Sequence, residues 1–284
     1  MVKCRFLDMK LGVAYIAFDG TELLEHSIRQ IRNNVDYICV LYQKRSWFGH
    51  PISKEDLQNL ELLKKSNLID DLIDFDRFIP VRGANTKNIK KVKHYELQKR
   101  QFGLNVCLNK GCTHYLCMDV DEFYESSEFK RAKREIEIND YDITAVKFIN
   151  YVNLPIIHRG FDSSHVPFIC KINPAAKMTS NFFVRVDPTR GIKNGGKKSH
   201  QFNKSEIKMH HMETVRKNLT VKYASTTRAI FQRNRTSELV SRIKSVNEQS
   251  TNFTFNKIIF PKSGKMKLTQ CQNIFNIPYQ QWQK

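Results

Sequence analysis

Acidic residues are scarce in the last third of this 284-residue chain: residues 190–284 hold 4 of them against 19 Lys and Arg, whereas residues 1–189 hold 24 against 28. The formal charge of +19 is therefore concentrated towards the C-terminus, which suits polyanions as partners or substrates as well as it suits a solubilising surface. No C-x-x-C pair occurs among the seven cysteines, whose number is odd. That argues against a zinc ribbon and a secreted disulfide framework, and for a reducing compartment. Long apolar runs are also missing. The longest early one, residues 11–18, falls far short of the roughly 18 residues of a membrane span. No small-residue cleavage site follows it, so neither a leader nor a membrane anchor is expected, and a cytoplasmic location is. With 40% apolar and 26% charged residues the composition is nevertheless that of a folded globular protein.

Residues 11–18 end at Asp19-Gly20, the pattern of a buried parallel strand stopping at a turn. Leu24, Ile28 and Ile31 then recur at helical spacing, with Glu22 and Glu25 where carboxylates favour the helix dipole, and a second apolar run covers Tyr37–Tyr42. Strand, helix and strand in about 30 residues make a βαβ unit, the start of a parallel sheet. A helix is predicted over Lys54–Lys65, a strand over 72–75, a long helix over 88–108 and, after a stop at Gly111, a strand over 114–118. Further strands are predicted over Ile143–Val152 and 181–186, with 154–174 between them as a long irregular loop and the Gly- and Lys-rich 191–200 as a mobile one. A helix over 237–248 precedes the Phe- and Lys-rich tail 252–284. The predicted fold is α/β: a mixed, mostly parallel sheet flanked by helices, with a basic helical C-terminal extension. Residues 1–215 are expected to form one domain, with halves at about 1–125 and 126–215, and 216–284 to pack on it as the extension.

The sharpest chemical signal is Cys117-Met118-Asp119-Val120-Asp121-Glu122-Phe123-Tyr124. An apolar strand delivers two carboxylates, at i and i+2, to its C-terminal end, the edge where open α/β sheets bind ligands. In a regular strand they would share a face; a turn would redirect them. Paired carboxylates there suit a hard divalent cation, which in turn grips a diphosphate.

Lys99, Arg100, Leu104, Gly111, His114-Tyr115-Leu116 and Asp119–Tyr124 together resemble the K/R-R-x-x-x-L…G-x-x-Y-x-L…D-x-D-E-F-Y pattern of the GT-A-fold glycosyltransferases, especially family 2-like members. Met209-His210-His211-Met212-Glu213-Thr214-Val215-Arg216-Lys217 resembles their late M-H-H-x-x-x-V-R-K segment. The resemblance spans most of residues 11–220 and implies a GT-A (Rossmann-like) fold and transfer of a sugar from a nucleoside diphosphate sugar to an acceptor hydroxyl. It further implies a metal site of Asp119, Asp121 and a late histidine, His211 or, as the alternative, His210; imidazole beside carboxylates suits Mn²⁺, while Mg²⁺ prefers oxygen. It places Ala17 and Asp19 near the nucleoside, with Gln43 at the end of the second strand, Asp119 on the donor, and Lys99 and Arg100 as phosphate contacts. Two positions depart from the pattern: Asp19-Gly20 replaces a polar pair after the first strand, and Tyr42-Gln43 stands where an aspartate often ends the second. The nucleobase is thereby left open, with a UDP-sugar favoured. For an inverting transfer the acceptor-activating base is Asp162 or Glu213.

The basic residues Arg216, Lys217, Lys222, Arg228, Arg233, Arg235, Arg242 and Lys244 interleave with Phe202, Tyr223, Phe231, Phe253 and Phe255. That combination suits an anionic acceptor, either DNA carrying hydroxymethylated pyrimidines or an acidic glycan or lipopolysaccharide. Asp119→Ala or Asp121→Ala is expected to abolish transfer and leave the fold intact. The rival readings are a metal-dependent nuclease or nucleotidyltransferase, and a nucleic-acid-binding protein without catalysis. Oligomeric state is not legible.

Overall fold

In the computed structural model, which describes residues 9–82, 86–225, 236–255 and 264–282, the first half of the chain alternates strands and helices. These are β1 (Leu11–Ala17), α1 (Leu24–Ile31), β2 (Tyr37–Tyr42), α2 (Lys54–Lys65), β3 (Asp71–Asp74), α3 (Thr86–Asn109) and β4 (His114–Asp119). Four of the strands form a parallel array in the order β3-β2-β1-β4. Strand β1 is apolar on both faces because both are covered. Val13, Tyr15 and Ala17 meet Leu24 and Ile28 of α1 and Leu60 and Leu63 of α2, whereas Ala14 meets Leu104 and Cys107 of α3. Helix α3 approaches closely at Gly103, where a Cβ would lie 2.8 Å from the Ala14 Cβ.

The second half adds β5 (Glu122–Phe123), α4 (Ser126–Asn139), β6 (Ile143–Val152), β7 (Leu154–Pro167), β8 (Cys170–Lys171), β9 (Lys177–Thr179), β10 (Gly191–Lys193), β11 (Ser199–Gln201) and β12 (Lys208–His211). Strand β8 joins the first sheet antiparallel to β4. A second, mixed sheet runs β15 (Thr269–Gln270)-β7-β6-β12-β5, with β11 also on β6. The extension contains α5 (Leu219–Ser225), α6 (Thr236–Lys244), the hairpin β13 (Asn252–Phe255) and β14 (Gly264–Lys267), and β15 (Thr269–Gln270). Leu219, Tyr223, Leu239 and Ile243 of its helices pack on Val152, Leu154 and Ile157. The fold is mixed α/β, with a parallel array flanked by helices and an extension whose described helices carry Lys222, Arg242 and Lys244.

Three expectations are corrected, and one helix is added to them. Most of residues 154–174 forms β7, a 14-residue strand paired with β6 through bulges, rather than an irregular loop. Residues 181–186 contain no strand, and residues 191–200 hold β10 and the start of β11. Helix α4 has no counterpart among the predicted elements; it buries Phe129, Ala132 and Ile136, and the Glu125 carboxylate caps it by accepting from the Ser127 and Glu128 amides. The six described cysteines are all free thiols. Among the described residues no helix is long and apolar enough to cross a membrane.

Candidate active site

The C-terminal ends of β1, β2 and β4 open into a cavity of about 610 Å³, closed on its far side by β6, β7, β12 and residues 185–190. Strand β4 stops at Asp119, level with Ile16 of β1, and Val120-Asp121 turns the chain into β5. The turn is fastened by Glu122, which accepts from the Asp119 amide (3.1 Å) and is gripped by the guanidinium of Arg190. Glu122 is 1% exposed, so the third acid of D-V-D-E is a brace.

Because of that turn the two aspartates face different cations. Asp119 accepts from Arg100 Nη2 at 2.9 and 3.1 Å and lies 3.5 Å from Arg190. Asp121 meets Arg216 and Lys222 on Oδ2, the latter at 3.0 Å, and His211 Nε2 at 3.8 Å on Oδ1. Burial pushes both carboxyls up, but Arg100 and Arg190 leave Asp119 below its usual range, and Lys222, Arg216 and His211 hold Asp121 well below it. Asp121 is 1% exposed, which corrects the expectation that alanine there would spare the fold.

Register decides which histidine reaches the cavity. Strand β12 lies parallel to β6 with Met209 beside Phe148 and His211 beside Asn150, and all four side chains line the cavity. His210, beside Ile149, falls on the opposite face by the two-residue strand period, so the alternative metal candidate is not in the site. Its Nδ1 meets the Tyr151 hydroxyl at 2.9 Å, its ring abuts Phe275, and burial lowers it to about 3. His211 Nδ1 lies 3.1 Å from Asn150 Oδ1, an atom that can only accept, so Nδ1 carries a proton, and Nε2 is the ring nitrogen that points towards Asp121.

Asp121 Oδ1 and His211 Nε2 are therefore an oxygen and a nitrogen donor that one cation could share. Among the described residues no group of three His, Cys, Asp or Glu is arranged to hold a metal. Such a donor pair could contribute to a site for a Mn²⁺-like ion, whose remaining ligands would have to come from water and phosphate oxygens.

Of the other expected residues, Ala17, Asp19, Gln43, Lys99, Arg100, Asp162 and Glu213 all line the cavity. Asp19 accepts from Arg216 Nη1 at 2.8 Å, bridging through that guanidinium to Asp121. Gly20, at φ 75°, makes room for this bridge: a Cβ would sit 2.5 Å from Arg216 Nη1. Lys99 is not spent on the phosphate side. Its Nζ donates to the Ala17 carbonyl (2.9 Å) and Gln43 Oε1 (3.0 Å), and burial, then Arg100, lowers it to about 7. Asp162 accepts from the Ser164 amide at 2.9 Å and keeps only a 3.5 Å contact, from Asn150 Nδ2, on its other oxygen.

Sequence reasoning missed Arg190, Glu96 and the site role of Arg216 and Lys222. Arg216 could have been found inside the M-H-H segment; Arg190 and Glu96 carry no motif. Arg228, Phe231, Arg233 and Arg235 lie outside the described residues, as do the side chains of Phe253 and Phe255.

No family model and no curated protein matches this chain. Among solved structures, S. aureus TarS aligns at 12% identity with a TM-score of 0.43, over 86% of this chain and 45% of TarS. TarS 1–349 in complex with UDP-GlcNAc aligns at 12% identity and TM-score 0.34, over 50% of this chain and 35% of that one. Mannose-1-phosphate geranyltransferase from Thermus thermophilus aligns at 12% identity and TM-score 0.30, over 52% and 44%. This chain thus spans less than half the length of each of these three.

Proposed function

We propose that the chain is a divalent-metal-dependent glycosyltransferase of the GT-A type that moves a sugar from a nucleoside diphosphate sugar, with a UDP-sugar favoured, to a hydroxyl of an anionic acceptor. One observation carries the reading: at the C-terminal edge of a parallel sheet, Asp121 Oδ1 and His211 Nε2 share a cavity with Arg100, Arg190, Arg216 and Lys222. A nucleoside diphosphate needs this mixture of cation and cation-binding groups at its leaving end.

Asp121 and His211 would hold the ion, which when bound supplies Lewis-acid neutralisation of the departing diphosphate. Arg216 and Lys222, the two cations on Asp121 Oδ2, stand next to that position and offer N–H donors to phosphate oxygens. Asn150 fixes the His211 tautomer. Asp162, with one oxygen nearly free, takes the proton of the acceptor hydroxyl, and Glu213 is the competing base. Asp162→Asn is expected to lower kcat by about 10²–10⁴ with donor affinity retained, and Glu213→Gln to do so instead if the roles are exchanged. The acceptor is DNA bearing hydroxymethylpyrimidines or an acidic glycan or lipopolysaccharide, in keeping with the charge of the last third.

The test is release of nucleoside diphosphate from a panel of sugar nucleotides with Mn²⁺, with and without hydroxymethylpyrimidine duplex DNA or acidic glycans. Turnover that needs Mn²⁺ and disappears in Asp121→Asn supports the reading. Absence of turnover with every donor, or Mn²⁺-dependent cleavage of plain DNA, would overturn it.

A further inference from the structure

Helix α3 presents Glu96, Lys99 and Arg100 to the cavity from one face, since residues three and four apart on a helix are neighbours. Arg100 is engaged by Asp119 and Cys117, and Lys99 by Ala17 and Gln43. Gln43 is in turn buried and held: its Oε1 accepts from Lys99, and its Nε2 donates to the Arg45 carbonyl at 2.8 Å. The Ser46 hydroxyl oxygen already accepts from the amides of Phe48 and His50. So the polar side chains beside Lys99 are largely occupied within the protein. Glu96, which lines the same cavity four residues before Arg100, makes no hydrogen bond or ion pair among the described residues. Its half-buried carboxyl therefore faces the cavity with its acceptor oxygens available to a ligand.

From this geometry we infer that Glu96 binds the hydrogen-bond donors of the donor nucleoside, either the ribose hydroxyls or a base N–H. The inference rests on the nucleotide-sugar reading and adds to it the residue that reads the nucleoside, a role for which Gln43, buried and held by Lys99 and Arg45, is badly placed. A carboxylate accepts two hydrogen bonds side by side, which matches a ribose diol or adjacent donors on a base. Burial pushes the Glu96 carboxyl up to about 7, against the pull of Arg100, as expected for a group whose partner arrives with the substrate. The charged groups around it are Arg100 and Lys93 on its own helix, Asp119 at the end of β4, and Asp187 in the segment that crosses the cavity.

Calorimetric binding of UDP, CDP, GDP, ADP and inorganic pyrophosphate to the full chain, its Glu96→Gln and its Glu96→Ala variants tests this. The tightest nucleotide should bind Glu96→Ala about ten- to a hundred-fold more weakly than wild type, with pyrophosphate unchanged. Raising the pH from about 6 to about 8 should strengthen nucleotide binding to wild type relative to Glu96→Gln, because the carboxylate, not the acid, accepts from two donors. A weaker affinity for the 2′-deoxy nucleotide that vanishes in Glu96→Ala assigns the contact to the ribose; equal affinity assigns it to the base. Equal nucleotide affinity in wild type and both variants, or equal loss of nucleotide and pyrophosphate, overturns the inference while leaving the nucleotide-sugar reading in place. Failure of the wild type to bind any of the nucleotides defeats that reading as well.

Discussion

Glu122 and Arg190 illustrate how single residues divide between holding and acting. The pair is buried on both sides, and Arg190 also donates to the Cys117 carbonyl at 3.0 Å. Arg190→Ala would strand a buried carboxylate, so we expect a loss of about 3–5 kcal/mol in denaturant unfolding, in contrast to the conservative Asp121→Asn, which leaves Arg216 bonded to Asp19. His210 gives a second residue-level expectation. Its folded value of about 3 lies below the 6.5 of an unperturbed histidine, so the unfolded chain binds the extra proton first. Stability is therefore intact above about 6.5 and falls as the pH drops towards 3, by at most about 1.4 kcal/mol per pH unit from this group. Unfolding of His210→Gln across the same range should be measurably flatter; an unchanged slope would show that His210 does not titrate there.

At the scale of elements, the alternation of strands and helices up to β4 was legible because each element has both a periodic apolar pattern and a nearby stop. The D-V-D-E turn and the M-H-H strand were legible because their residues are adjacent in sequence. Strand β7 was not, since Pro155, Gly160 and Pro167 punctuate it as they would a loop; its bulged pairing with β6 and its edge contact with β15 are tertiary facts. Glu96 and Arg190 stayed invisible for the same reason, each being an ordinary charged residue until the fold brings it to the cavity. The seat of α3 on the sheet is set by Gly103. In Gly103→Ala the new Cβ would press on Ala14 and on the Tyr115 hydroxyl, 3.1 Å away, lifting the helix that carries Glu96, Lys99 and Arg100. We expect a loss of about 1–3 kcal/mol in thermal or denaturant unfolding, together with weaker nucleotide binding. Unchanged stability would mean that the helix shifts freely.

On the scale of the whole molecule, the charge asymmetry and the site meet in the extension, since Lys222 of α5 reaches Asp121. If the acceptor is a polyanion drawn by that surface, its affinity should fall steeply and log-linearly with salt while affinity for the sugar nucleotide changes far less. An acceptor affinity that is flat in salt would remove charge as the basis of recognition. The bridge from Lys222 to Asp121 also has a consequence in time. The two residues are 101 positions apart, so at about 5–20 residues per second a ribosome needs roughly 5–20 s to make the second after the first. For most of that interval, until residue 216 is made, Asp121 lacks both of the cations that later neutralise its Oδ2, and until residue 211 β6 lacks its neighbour β12. A nascent chain arrested before residue 216 should thus be open to protease between β4 and α4, and the same region should become resistant only once α5 has emerged.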